Sequence, residues 1–87
     1  MRIKEGFILR RVADTWVVLA VGDNALDFSG MLTINTSGKL LWELLVNGTT
    51  QEDLVNALTT TYFVTYEEAK KDVHAFLDIL KKAGCLE

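Results

Sequence analysis

The 87-residue chain contains no proline, one cysteine and one histidine. Each scarcity closes a route. Without proline there is no polyproline linker and no collagen-like or proline-rich disordered composition. A lone Cys85 cannot close an internal disulfide, and with His74 as the single imidazole the chain holds no cluster of soft or borderline ligands, so neither a metal nor another cofactor is expected. The longest uninterrupted apolar run, Trp16 to Val21, falls far short of the roughly 20 residues that cross a bilayer, which excludes a membrane role. Nothing at the amino end combines a cationic start with an apolar stretch, so the expected location is cytoplasmic. Basic charge is also scarce. Nine Lys and Arg against twelve Asp and Glu leave a net charge of -3, the wrong background for tracking phosphates, and nucleic acid is not an expected partner.

What remains is a good globular composition, with 49% hydrophobic and 24% charged residues. A chain this long buries roughly 60% or more of its unfolded surface and forms one domain, residues 1–87. Phe7 to Val12 and Trp16 to Val21 are rich in β-branched and aromatic residues, separated by Ala13, Asp14 and Thr15, and read as a hairpin of strands over 7–12 and 16–21. Gly22-Asp23-Asn24 breaks the second strand, and after an irregular connection a third strand is expected over 31–34. The period then changes. Leu40, Leu41, Leu44 and Leu45 recur at helical spacing up to Asn47-Gly48, predicting a helix over 36–46. Thr50 with Asp53, and Thr65 with Glu68, stand in capping-box spacing and open helices over 51–62 and 66–83. Leu54, Ala57, Leu58 and Tyr62 line one face of the second; Ala69, Val73, Phe76, Leu77 and Leu80 line the third, which ends at Gly84. The expected class is α+β: a three-stranded antiparallel meander, with one exposed edge, followed by three helices that cover one face.

Candidate chemistry is thin. The stretch Thr33-Ile-Asn-Thr-Ser-Gly-Lys-Leu40 fails as a phosphate loop, because Thr33 stands at the first Gly position and Leu40 follows Lys39 where Ser or Thr must hold magnesium. Asn35, Thr36 or Ser37 as a helix cap accounts for it better. His74 lacks an organised partner for acid-base work. Cys85 between Gly84 and Leu86 reads as a small buried apolar group, and Glu67-Glu68 suit the positive end of a helix dipole. Catalysis is therefore not expected, and attention moves to binding surfaces.

Taken together, "INTSGKLLWELL", "NGTTQEDLVNALTTTY" and "EEAKKDVHAFLDILKKAGCLE" resemble the PqqD-like family, the pyrroloquinoline quinone biosynthesis protein D type also called precursor-peptide recognition elements. Ile34-Asn35, Leu41-Trp42, Gly48-Thr49, Tyr62, Asp72-Val73, Phe76-Leu77, Leu80 and Gly84 to Leu86 carry the resemblance in order, over nearly the whole chain. It implies a noncatalytic, winged-helix-like domain that captures the leader of a ribosomally made precursor peptide. It also implies that the domain presents the leader to a modifying enzyme, often a radical S-adenosylmethionine (radical SAM) enzyme. In such a domain the leader adds as a strand to the third strand, beside the third helix. The candidate contacts are Met31, Leu32, Thr33 and Ile34 on the edge, with Lys70, Val73, His74, Leu77 and Lys81 along one flank of the third helix. Those lysines would suit an acidic leader. The opposite flank, Asp72, Phe76, Ile79 and Ala83, is the alternative wall.

The rival from another class is a winged-helix DNA-binding regulator. Its reading helix would need a basic surface, whereas Lys70, Lys71, Lys81 and Lys82 are balanced by Glu67, Glu68, Asp72 and Asp78. A carrier domain would need Ser37 free for a prosthetic group, and a capping role explains that serine without one. An exposed strand edge also permits pairing between copies, so the oligomeric state stays open.

Overall fold

The computed structural model describes residues 1–22 and 32–87. Three antiparallel strands, β1 (Phe7–Val12), β2 (Thr15–Ala20) and β3 (Leu32–Ile34), form a sheet in the order β1-β2-β3. Three helices follow, α1 (Thr36–Asn47), α2 (Gln51–Thr61) and α3 (Tyr66–Ala83). The α+β architecture expected from the periodicities is the one observed. Met31 and the connection before it lie outside the described residues.

The hairpin is tighter than its sequence suggests. Val12 pairs with Thr15, so the loop is Ala13-Asp14 alone and β2 starts one residue earlier than expected. Two-residue loops match the right-handed twist of paired strands, but they demand a positive φ that glycine accepts most readily. Ala13 takes it here, at φ 56°. Arg11 supports the turn by donating from Nε to the Ala13 carbonyl at 3.2 Å. At the far end Val21 leaves the strand, although its N–H still donates to the Gly6 carbonyl at 2.7 Å.

Each helix begins where a short polar side chain satisfies an otherwise orphaned amide. Asn35 accepts from the Gly38 N–H at 2.8 Å, which selects it among the three cap candidates. Thr50 accepts from the Asp53 N–H at 3.2 Å and Thr65 from the Glu68 N–H at 3.1 Å. Glu67 and Glu68 in the first turn of α3, and Lys81 and Lys82 in its last, complement the helix dipole. Gly84 closes α3 in the left-handed region at φ 77°. α2 stops at Thr61, one residue short of expectation, because Tyr62 turns extended while its N–H still reaches the Leu58 carbonyl.

One apolar core joins the layers. Phe7, Val18 and the flanking Leu9, Leu32 and Ile34 of the sheet meet Leu41, Trp42 and Leu45 of α1, Leu54, Val55 and Leu58 of α2, and Val73, Leu77 and Leu80 of α3. Complete burial of each large aliphatic side chain contributes about 1.5–3 kcal/mol. The amino-terminal segment seals the bottom of this core. Ile3 bridges to Leu86, the Ile3 N–H donates to the Leu45 carbonyl at 3.1 Å, and the Lys4 N–H donates to the Cys85 carbonyl at 2.8 Å. Cys85 is thereby buried, as its apolar neighbours suggested.

Candidate functional site

The free edge of β3 can be read from the ladder. In an antiparallel pair, hydrogen-bonded and non-bonded residue pairs alternate. The bond from Val21 to Gly6 marks a bonded pair, so with the observed register Ile8–Leu19, Arg10–Val17 and Val12–Thr15 are the bonded pairs of β1 and β2. Trp16 and Val18 therefore turn their main-chain groups toward β3, opposite Ile34 and Leu32. Thr33, opposite Val17, is left with both its N–H and its C=O facing away from the sheet. No main-chain bond from the described residues outside the strands reaches them.

Beside this edge the chain turns directly into α1, and there a groove opens. Two adjoining hollows of about 370 and 260 Å³ share Asn35, Ser37, Leu58 and Asp72. The larger is walled by Tyr62 and Val64 at the end of α2, the smaller by Gly38 and Leu41 of α1 and Ala75, Phe76 and Ile79 of α3. The rim at Asn35 is fixed: its Oδ1 accepts from both the Gly38 N–H and the Ser37 hydroxyl, the latter at 2.9 Å. Gly38 brings three elements together. A Cβ there would lie 3.1 Å from Ile34 Cβ and 3.1 Å from Phe76 Cε1, so the end of β3 and the middle of α3 close over a bare glycine.

Among the described residues Asp72 is the one charged side chain on the walls of either hollow. It is exposed, and among the described residues no hydrogen-bond donor or cation pairs with it.

The residues singled out from the sequence separate into three groups. Leu32, Thr33 and Ile34 form the edge, with Met31 outside the described residues. Val73 and Leu77 are buried in the core and line neither hollow. Lys70, His74 and Lys81 follow the flank of α3 that turns toward the start of α2, where the His74 ring sits 2.5 Å from the Gln51 amide. The structure therefore does not bring this basic flank to β3. It brings the opposite flank, Asp72, Phe76 and Ile79. Leu58, Tyr62 and Val64 also wall the groove; helical periodicity assigned Leu58 and Tyr62 to the core face, and no sequence signal distinguishes a core side chain from one at the core's open margin. Gly38 did carry a signal, since a glycine inside a helical pattern costs about 1 kcal/mol against alanine.

Other chemistry is sparse. Burial pushes the Cys85 thiol above its ordinary pKa, with the Lys4 ammonium acting weakly in the opposite sense. The Tyr66 hydroxyl donates to the Glu52 carboxylate at 3.0 Å, and that bond and charge raise its pKa. Among the described residues no three His, Cys, Asp or Glu side chains gather as a metal site, and no helix is long and apolar enough to cross a membrane.

Among the described residues a small antiparallel sheet keeps the outer edge of its third strand free, and the three helices that follow leave a groove beside it. The profile of the family "Coenzyme PQQ synthesis protein D (PqqD)" matches residues 15–86, and the chain belongs to that family. Two solved structures share the fold. One is TbiB1 in complex with the TbiA(beta) leader peptide, at 25% identity and a TM-score of 0.80, covering 100% of this chain and 95% of that one. The other is a lasso peptide synthetase B1 complexed with the leader peptide, at 21% identity and a TM-score of 0.77, covering 97% of this chain and 93% of that one. A search of curated proteins finds no match.

Proposed function

We propose that this chain is a noncatalytic recognition domain that captures the leader of a ribosomally synthesised precursor peptide and presents it to a modifying enzyme. The observation that carries this reading is the outward N–H and C=O of Thr33 beside the apolar groove. Strand addition at such an edge supplies main-chain hydrogen bonds, while alternate side chains of the guest enter pockets that give selectivity. Similarity to two proteins solved with leader peptides supports it. The groove in use is the one bounded by Asn35, Gly38, Asp72, Phe76 and Ile79. Catalysis is left to the partner, and a radical SAM enzyme is the partner class that the family resemblance implies. The near-neutral charge of α3 gives a DNA-binding reading no support.

The test is titration of the chain with the leader half of the precursor peptide encoded beside it, followed by calorimetry and amide NMR. Binding at about micromolar Kd or tighter, on the order of -8 kcal/mol, is expected, with shifts at Thr33, Asn35 to Gly38 and Asp72 to Ile79. Absence of heat and of amide shifts would refute the reading.

A further inference from the structure

We infer that Asp72 selects the guest: the groove takes a peptide that carries a Lys or Arg at even spacing from a bulky apolar residue. This rests on the leader-capture reading and adds the chemistry of the captured segment.

Asp72 is an unmatched charge among the described residues. Apart from Asp72 the described residues of the groove are neutral, with Leu41, Leu58, Phe76 and Ile79 apolar and Asn35 and Ser37 polar but uncharged. Helical neighbours three and four positions away are the ones able to pair with a side chain. For Asp72 these are Ala69, Ala75, Glu68 and Phe76, so its own helix offers no cation and adds a second acid. The lysines at 70 and 71 are only two and one positions away and do not share its face. Where this chain does pair charges along a helix it does so closely, as Lys39 and Glu43 do at 2.7 Å. A carboxylate on the wall of an apolar groove, unpaired among the described residues, is complementary to a cation brought by the occupant.

Spacing follows from the edge. A guest strand paired through Thr33 alternates its side chains between the two faces of the sheet, rising about 3.3 Å per residue. Residues two or four positions apart therefore enter the groove together, one among Leu41, Phe76 and Ile79 and the other at Asp72. Odd spacing would send the cation to the opposite face. As the guest covers the groove and excludes water, the pair gains strength relative to an exposed one.

The probe is a phage-displayed library of random linear peptides selected on the whole chain, in parallel with Asp72→Asn and Asp72→Lys. Asp72 is exposed and has no partner among the described residues, so both variants are expected to fold, which circular dichroism checks. Selection on the native chain should enrich Lys or Arg two or four positions from Phe, Tyr, Trp, Leu or Ile. The synthesised consensus peptide should bind Asp72→Asn about tenfold more weakly, and Asp72→Lys should enrich Asp or Glu at the same position. If selected peptides bind yet show no basic position, or the same consensus binds all three chains alike, the Asp72 assignment is overturned and leader capture stands. If no peptide is enriched and the encoded leader gives neither heat nor shifts, both readings fall.

Discussion

Phe76 of α3 closes so tightly against Gly38 of α1 that a methyl group there would have to push its neighbours back by a few tenths of an ångström, since a Cβ at Gly38 would stand 3.1 Å from Phe76 Cε1. The same Cβ would stand 3.1 Å from Ile34 Cβ, an atom fixed to the strand backbone. Alanine at 38 gains about 1 kcal/mol of helix propensity, but overpacking a tight site costs about 1–3 kcal/mol. Gly38→Ala is expected to be net destabilising by about 1 kcal/mol and to narrow the groove. Urea denaturation of the variant checks the first, and leader titration checks the second.

The hairpin predicts the reverse sign for an alanine. Ala13 is held at φ 56°, where a Cβ costs about 1–2 kcal/mol. Ala13→Gly relieves that cost and loses part of it to the freer unfolded chain, so a gain of about 0.5–1 kcal/mol is expected. A rise in the denaturation midpoint at unchanged slope is the readout; a fall would show the turn to be unstrained.

Proline substitutions test the direction of the β3 amides. Thr33→Pro removes an N–H that faces away from β2, and edge strands tolerate proline there. The variant should fold normally and lose leader affinity by about tenfold or more. Ile34→Pro removes an N–H that the ladder points toward β2 and should lower stability itself. If the two variants behave alike in both assays, the derived pairing is wrong.

The two flanks of α3 are separable by mutation. Ile79→Asp places a charge on the apolar wall beside Phe76 and is expected to weaken leader binding about tenfold or more. Lys81→Glu on the other flank is expected to change it by less than about threefold. The opposite ranking would return the groove to Lys70, His74 and Lys81.

Cys85 links stability to alkaline pH. Its folded-state pKa is raised by burial, so between the ordinary thiol value near 8.5 and that raised value the folded chain binds more protons than the unfolded one. Its contribution is complete below about pH 8.5 and is lost as pH climbs through the folded pKa. Denaturation midpoints measured from neutral to alkaline pH should fall more steeply for the native chain than for Cys85→Ala. Equal slopes would remove Cys85 from the account.

Element order was legible because each helix carries its own start signal and each strand its β-branched run. The boundaries that moved, at Thr15, Val21 and Tyr62, are positions where a single hydrogen bond decides membership, and a lone sequence does not show which carbonyl an amide reaches. The flank of α3 was harder. Val73 fixes the direction of the core, but Lys70 and Phe76 sit symmetrically on either side of it by periodicity, and only the packing of α1 against Phe76 distinguishes them. The outward amide of Thr33 needed the register of all three strands, which depends on a two-residue loop that the composition of Ala13-Asp14-Thr15 does not announce.

The bridge between Ile3 and Leu86 ties together residues 83 positions apart (86 − 3). Contacts of such long sequence separation form late, because the entropy of closing the chain must be met before they contribute. During synthesis the sheet and the first two helices can assemble while Leu86 is still inside the ribosome, but the floor of the core cannot close. The floor beneath the core thus closes only once Leu86 has left the ribosome.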